Sequence, residues 1–180
     1  MIFRPMRKDE IDKVIKFLER NHDEVDGPQL SLKYDNWKEI IEWQKKDETP
    51  EIIGQYVRGN PKGEMFVLED DNGKIKGTGA IQYSKSNNPP KLRYMATYPT
   101  GKGTGSELIK HLEEYAMSKK IPELRVDPNP VAEGFYTKMG YEIIDRYKYK
   151  TPTEHPVEIT LTTARKIFKK TEKNSAEKVR

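Results

Sequence analysis

The chain has 180 residues, a formal net charge of +4 and no cysteine. This length is typical of one domain with its own hydrophobic core, and the lack of cysteine excludes disulfides, thiolate metal sites and a cysteine nucleophile. No apolar run approaches the ~20 residues that cross a bilayer, and the first residues lack a secretory apolar segment, so we expect a cytoplasmic protein without a membrane partner.

The positive charge is concentrated at the C-terminal end of the sequence. Residues 164–180 hold seven basic and two acidic side chains, so this stretch carries +5 and the rest of the chain −1. Such a run is typical of a solvated, mobile tail. We therefore divide the chain into a domain over 1–163 and a basic tail over 164–180. Nucleic-acid binding by the tail is an alternative, which predicts steeply salt-dependent affinity.

The three histidines, His22, His111 and His155, lie far apart in the sequence. They show none of the ligand spacings of a zinc or other metal site. We therefore expect surface or boundary histidines and no bound metal.

Apolar periodicity divides the domain into strands and helices, and Asn72-Gly73 between two strand-like runs is a strong hairpin signal. The elements predicted before residue 90 are a strand over 2–5, a helix over 8–21, a polar loop over 22–31, a helix over about 35–47, and strands over about 64–69 and 74–84. Those predicted after it are a strand over 91–97, a helix over 103–118, a strand over 123–127, a helix over 130–139, and strands over 141–149 and 156–163.

A glycine-rich segment connects the strand over 91–97 to the helix that follows it. Thr100 to Ser106 reads Thr-Gly-Lys-Gly-Thr-Gly-Ser. Glycine allows close approach of a ligand to the backbone, and the free amides of a first helical turn attract anions. The spacing fits neither a P-loop nor the Gly-x-Gly-x-x-Gly dinucleotide fingerprint. The segment therefore predicts a diphosphate site of another kind, and a glycine-rich turn that binds no ligand is the alternative.

A second motif lies downstream, from Asn129 to Tyr141. Together with the glycine segment it resembles the GCN5-related N-acetyltransferase (GNAT) family, whose pyrophosphate loop runs Arg/Gln-x-x-Gly-x-Gly/Ala and whose later motif reads Asn-x-x-Ala-x-x-Phe-Tyr-x-x-x-Gly-Phe. The later motif is matched in register, with Tyr141 in place of the final Phe, by Asn129, Ala132, Phe135, Tyr136 and Gly140.

The resemblance implies a mixed α/β fold: a central, mostly antiparallel sheet whose parallel strands 4 and 5 splay apart, flanked by helices. It also implies transfer of acetyl from acetyl-CoA to a primary amine by direct attack in a ternary complex, with Tyr136 as the general acid. The residues implied to bind coenzyme A are Met95 and Thr97 through their main chain, Gly101, Lys102, Gly103, Thr104, Gly105 and Ser106 around the pyrophosphate, and Asn129 in the splay.

The sequence departs from the family pattern before the glycines. Thr100 stands where the family has Arg or Gln, and the preceding segment is about two residues short. A non-catalytic acyl-CoA-binding or regulatory module on the same fold is therefore an alternative.

The strand over 91–97 holds no acid to serve as general base. Glu69, Asp70, Tyr83 and Tyr94 remain open candidates. Acids and aromatics over about 20–60 suit a cationic small-molecule or peptide amine. The oligomeric state is left open, and homodimers are common in the family.

Overall fold

Seven strands of the chain form one mixed sheet in this computed structural model, which describes residues 1–168. The strands lie side by side in the order β1-β2-β3-β4-β5-β7-β6. Neighbouring strands are antiparallel except β4 and β5, which are parallel. Their bounds are β1 Ile2–Pro5, β2 Gly63–Glu69, β3 Ile75–Gln82, β4 Lys91–Thr97, β5 Glu123–Val126, β6 Glu142–Lys150 and β7 Glu158–Ile167. The predicted fold class is confirmed.

Helices precede the central hairpin and follow β4 and β5. Their bounds are α1 Ile11–Asn21, α2 Gly27–Ser31, α3 Trp37–Lys45, α4 Pro50–Ile53, α5 Thr104–Ser118 and α6 Glu133–Lys138. Single turns of other geometry extend α1 at both ends and follow α4. They are a 3₁₀ turn over Lys8–Glu10, a π-helical turn over His22–Asp26 and a 3₁₀ turn over Gly54–Tyr56.

The helices cover both faces of the sheet. Along β2, Met65 and Val67 alternate with Phe66 and Leu68, so the two pairs point to opposite faces. Phe66 and Leu68 pack in a core with α5, whereas Met65 and Val67 pack in a core with α1. Each fully buried side chain of this kind contributes about 1.5–3 kcal/mol. A third cluster packs α2 and α3 against β7.

Strand β4 contains one extra residue between two of the positions at which it pairs with β3. The pairing steps from Thr78–Ala96 to Ala80–Arg93, which is a β-bulge in β4. Within the bulge, Tyr94 has a φ of 54°, in the left-handed region that residues with side chains rarely adopt. The Thr78 hydroxyl donates a hydrogen bond to the Tyr94 carbonyl oxygen at 3.0 Å. The bulge therefore interrupts the regular alternation of β4.

The parallel strands β4 and β5 pair over a short stretch only. The ladder consists of Lys91–Arg125 and Leu92–Val126. Strand β5 ends there, whereas β4 continues to Thr97. The edge of β4 beyond the ladder therefore faces an opening in the sheet, as the splay of the predicted fold requires.

The prediction of a polar loop over 22–31 was wrong, because this segment is helical. The π-helical turn over His22–Asp26 continues α1 directly, and α2 follows it. Gly27 and Leu30 are buried, and Pro28 lies in the first turn of α2, where its missing amide costs no hydrogen bond. The burial of Gly27 and Leu30, three positions apart on α2, thus stabilises a helix despite the polar composition of the segment.

Two other boundaries differ from the sequence prediction. Residues 130–132 form a turn, so α6 begins at Glu133 instead of residue 130. Strand β7 continues to Ile167, four residues into the predicted tail of 164–180. Residues 169–180 of that tail lie outside the described residues. Within residues 1–168, no helix is both long and apolar enough to cross a bilayer.

Candidate active site

The glycine segment forms a loop that ends at the start of α5. Gly101 and Gly103 have φ values of 78° and 76°, where glycine is strongly preferred, and open space lies where a Cβ would be. The first hydrogen bond of α5 runs from the Glu107 amide to the Gly103 carbonyl oxygen at 3.1 Å. The amides of Thr104, Gly105 and Ser106 thus precede the ladder of α5, where an anion can bind them.

The helix behind this loop is anchored in the core. Leu108, Ile109, Leu112 and Ala116 of α5 are fully buried, at the spacing of one helix face. Lys102, in the loop itself, is exposed. The loop therefore places backbone amides and the exposed Lys102 side chain at the start of a helix that is anchored in the core.

The two sequence motifs meet at Gly105. A Cβ on Gly105 would lie 3.2 Å from the ring of Phe135, which is tighter than ordinary packing. Glycine at this position therefore allows α6 to approach the start of α5. As a result, the glycine loop and α6 lie beside the same opening between β4 and β5.

The exposed edge of β4 is in contact with the end of α1. The Asn21 side-chain amide donates a hydrogen bond to the Thr97 carbonyl oxygen at 2.8 Å, and Asn21 is buried. Met95 packs its side chain against the core on the α5 face. Sequence analysis missed Asn21, because nothing in a helical run of α1 indicates a contact with β4.

Asn129 holds the turn that leads into α6. Its side-chain oxygen accepts a hydrogen bond from the Val131 amide at 3.1 Å, and its carbonyl oxygen accepts one from Ala132 at 2.8 Å. The side-chain oxygen thus has a structural use in the turn, in the manner of an Asx turn.

Tyr136 lies on α6 among aromatic rings. Its side chain packs edge-on against Phe135 and Tyr141, with ring centroids 5.2 and 5.7 Å away. Burial raises the pKa of the Tyr136 phenol well above its usual value, and the nearby Asp26 carboxylate raises it further. The phenol is therefore protonated at neutral pH and can act as a proton donor.

Comparison with known proteins agrees with this arrangement. The family model described as "Acetyltransferase (GNAT) domain" matches residues 61–143, which span both motifs and the splayed strands. Residues 61–143 therefore belong to a GNAT acetyltransferase domain. No curated protein matches the sequence.

Solved structures with the same fold cover nearly the whole chain. A probable acetyltransferase from Staphylococcus epidermidis ATCC 12228 has a TM-score of 0.71 at 14% identity and covers 93% of this chain and 99% of its own. PaiA N-acetyltransferase from Thermoplasma acidophilum, in complex with coenzyme A, has a TM-score of 0.66 at 15% identity, covering 93% and 98%. Aminoglycoside 6′-acetyltransferase type Ii has a TM-score of 0.66 at 14% identity, covering 93% and 97%. At these identities the likeness shows the fold alone.

Before the matched range, the chain contains a largely buried cluster of charged side chains, His22, Asp26 and Glu48. His22 Nδ1 lies 2.9 Å from Asp26 Oδ2, and His22 Nε2 lies 2.5 Å from Glu48 Oε1. Burial lowers the pKa of His22, but the hydrogen bonds to Asp26 and Glu48 outweigh it and raise the pKa to about 9. The ring is therefore a cation at neutral pH and donates both of its N–H groups.

The sequence does not predict this cluster. His22 is predicted as a surface or boundary residue, and its side chain is 13% exposed. Glu48, its second partner, lies 26 positions away in the sequence. The one available signal was the spacing of His22 and Asp26, which puts both on one face if residues 22–26 are helical. Among the described residues, no group of three or more His, Asp and Glu side chains could hold a metal ion.

The acids proposed from sequence as a general base have other partners in the structure. Glu69 accepts a hydrogen bond from Arg4 at 2.8 Å, which lowers the pKa of its carboxyl group. Asp70 accepts hydrogen bonds from the amides of Asn72 and Lys74, so it fixes the β2–β3 turn.

The two tyrosines proposed with them have different surroundings. Tyr83 lies 3.5 Å from the Glu64 carboxylate. Burial raises the pKa of Tyr94, which packs against α1. A neutral phenol of raised pKa is a poor proton acceptor.

Proposed function

We propose that this protein transfers an acetyl group from acetyl-CoA to a primary amine. The observation that carries the proposal is the contact of Gly105 with Phe135, next to Tyr136. Because of that contact, a helix start suited to phosphate and a buried phenol flank one opening in the sheet. Acetyl-CoA has a diphosphate at one end and a reactive thioester at the other, so it matches both features.

The binding residues follow from this match. The amides from Gly101 to Ser106 bind the pyrophosphate, and Lys102 adds positive charge at the mouth of the loop. The main chain of Met95 and Thr97 binds the pantetheine amides along the edge of β4. The free N–H groups of the Asn129 side chain extend the polar lining on the α6 side.

Tyr136 is the catalytic residue of this proposal. Acetyl-CoA supplies a thioester whose carbonyl carbon an amine can attack. In the transfer, the amine nitrogen bonds to the acetyl carbon and the carbon–sulfur bond breaks. The Tyr136 hydroxyl gives its proton to the departing sulfur, and the proton lost by the amine nitrogen restores it. The chain contains no cysteine, and the acetyl group passes directly to the amine without an acyl-enzyme.

Small molecules are the acceptors to test first. Structural neighbours include an aminoglycoside 6′-acetyltransferase and a protein described as a phosphinothricin N-acetyltransferase. Peptide N-terminal amines belong in the same screen. The acetyl transfer itself is followed by the appearance of free thiol.

A non-catalytic acyl-CoA-binding module is the second candidate. Thr100, exposed at the position where the family has Arg or Gln, favours it. Tyr136 argues against it, because a binding module has no use for a proton donor at the sulfur. The two candidates both bind acetyl-CoA, and only the enzyme releases thiol when amines are added.

The first test is isothermal titration of acetyl-CoA into the wild type and a Gly103→Glu variant. Glutamate places bulk and negative charge beside the proposed pyrophosphate site, so we expect micromolar binding in the wild type and its loss in the variant. Gly73→Glu is the matched control, because Gly73 has a φ of 75° with equally open surroundings in a distant hairpin. Absence of binding to the wild type would refute the proposed function.

A further inference from the structure

The cluster of His22, Asp26 and Glu48 carries an unbalanced negative charge. His22 is a cation held between two carboxylates, so the three side chains together carry −1 at neutral pH. Two cations from the adjoining segments are paired with other carboxylates: Lys45 lies 2.7 Å from Asp23, and Arg93 lies 3.5 Å from Asp47. The cluster therefore retains a charge that suits one additional cation.

The charges of the cluster act on residues of both β4 and α6. On one side, Asp26 is close enough to Tyr136 of α6 to raise its pKa, in addition to the effect of burial. On the other side, Glu48 contributes in the same way at Tyr94 of β4. His22 directly follows Asn21, whose side chain binds Thr97. The cluster thus reaches both β4 and α6 from the helical layer.

One oxygen of this cluster has no hydrogen-bond donor within the described part of the chain. Glu48 Oε1 accepts from His22, but Glu48 Oε2 is buried without a partner, in a side chain only 4% exposed. Gln44 Oε1, four residues earlier, is likewise buried without a donor among residues 1–168. A buried carboxylate oxygen without a donor is costly, and a bound ammonium group with three N–H donors removes that cost.

We propose that the cluster is the acceptor subsite, in which Glu48 Oε2 binds the ammonium group of the substrate and takes its proton. This inference rests on the proposed function and identifies its substrates as cationic primary amines. His22 and Asp26 are positioning residues, since they act through Glu48. None of the candidates that sequence analysis named as general base belongs to this cluster.

The proton transfer is balanced and chemically required. An alkylamine with a pKa of about 10.4 is neutral in only about one molecule in 2,500 at pH 7. At Glu48, one N–H bond of the ammonium breaks and one O–H bond forms, which leaves a neutral amine with a free electron pair. The proton then passes from Glu48 to solvent, and the carboxylate is ready for the next substrate.

The first experiment measures binding without turnover. Unacetylated coenzyme A is present, and the ring ¹⁵N signals of His22 are followed by NMR as 1,4-diaminobutane, L-lysinamide or kanamycin is added. Assignment is simple, because the chain has three histidines and a His22→Asn variant removes one signal. Tetramethylammonium, a cation without N–H donors, is the ligand control.

We expect at least one of the three amines to shift the His22 signals in the wild type, and tetramethylammonium to leave them unchanged. The shift is lost in Glu48→Gln, which removes the charge and keeps the shape. It persists in Glu51→Gln, the same change at an exposed residue of α4. A wild type that responds to none of the three amines, or a Glu48→Gln protein that responds normally, overturns the proposal.

Kinetics provide a second, independent measurement. With the amine that responds best, we expect Glu48→Gln to lower kcat/KM by about 10²-fold or more at pH 7. The deficit narrows as the pH approaches the amine pKa, where the substrate arrives neutral. A purely structural role would lower the rate by the same factor at every pH, and that result counts against the proposal.

The affinity for acetyl-CoA distinguishes a failure of the proposed role of Glu48 from a failure of the proposed acetyl transfer. If the wild type and Glu48→Gln bind acetyl-CoA equally, the variant is folded and the kinetic result concerns Glu48 alone. If the wild type does not bind acetyl-CoA, the proposed function itself fails. Equal binding with unchanged kcat/KM refutes the role of Glu48 and leaves the proposed function standing.

Discussion

At the scale of single residues, Tyr136 combines a buried side chain with a ring that is in contact with two other aromatic rings. Its side chain is 4% exposed, and its ring is held by two other aromatic rings. Aromatic contacts of this kind contribute about 0.5–1.5 kcal/mol each beyond the area that they bury. The ring and the hydroxyl can therefore be tested separately.

Replacement of Tyr136 by Phe keeps the ring and removes only the proposed proton donor. We expect kcat for acetyl transfer to fall by about 10²-fold while the dissociation constant for acetyl-CoA stays within twofold. Steady-state kinetics and isothermal titration of the same preparation measure the two quantities. A variant with normal kcat would show that Tyr136 only anchors α6.

His22 makes the stability of the protein depend on pH. Its pKa in the folded state, about 9, exceeds the ordinary value of 6.5, so protonation favours folding. The stabilising effect is complete below pH 6.5 and disappears as the pH rises through 9. The shift corresponds to about 3 kcal/mol at most.

We therefore expect a His22→Asn variant to unfold more easily than the wild type at pH 6. The difference in unfolding free energy between the two proteins should shrink as the pH is raised from 6.5 to 9.5. Urea unfolding at several pH values measures it. The tyrosines beside the cluster do not titrate in this window, because burial raises the pKa of both Tyr94 and Tyr136. A difference that does not change with pH would contradict the assignment.

The sequence predicts some of these residues and not others, for a physical reason. The glycine loop and Tyr136 belong to contiguous motifs whose chemistry is local. The charged cluster depends on a turn of π-helix and on the approach of Glu48 from beyond α3. A polar run of residues contains no pattern that predicts either the geometry of the turn or the tertiary contact with Glu48.

At the scale of elements, the bulge in β4 is supported by a glycine in the next strand. A Cβ on Gly79 of β3 would lie 2.7 Å from both Leu112 Cδ1 and Met95 Sδ. The absent side chain thus makes room for Met95, beside the irregular part of β4, and for α5. The strand bounds were predicted within two residues except at the end of β7, but the bulge was not predicted, because alternation alone cannot locate an extra residue.

Gly79→Ala is expected to strain this packing. We expect the unfolding free energy to fall by about 1–3 kcal/mol, as in other overpacked cores. Gly77→Ala is the control in the same strand, since its Cβ would have no neighbour closer than 3.5 Å. Urea unfolding of both variants tests the comparison. Equal effects at the two positions would show that the clash at Gly79 is relieved without cost.

At the scale of the whole molecule, the sequence predicts the succession of strands along the chain more accurately than the helices between α1 and β2. The hairpin, the glycine loop and the strands around them carry strong local signals. The segment from His22 to Tyr56 is stabilised by tertiary packing against β7 and the sheet. The sequence of a short polar helix does not indicate such packing. The prediction therefore assigns the coenzyme side of the site to particular residues, whereas it assigns the acceptor side only to the range of about 20–60.

The cluster that joins α2 and α3 to β7 has a consequence for synthesis on the ribosome. The rings of Trp43 and Tyr149 form a tilted pair with centroids 5.4 Å apart, although the two residues are separated by most of the chain. At 5–20 residues per second, roughly 5–20 s pass between their appearances. Leu30 and Ile40 remain without their β-strand partners throughout that interval. The β1–β4 half of the nascent chain is therefore synthesised first, and the packing of α2 and α3 against β7 forms last.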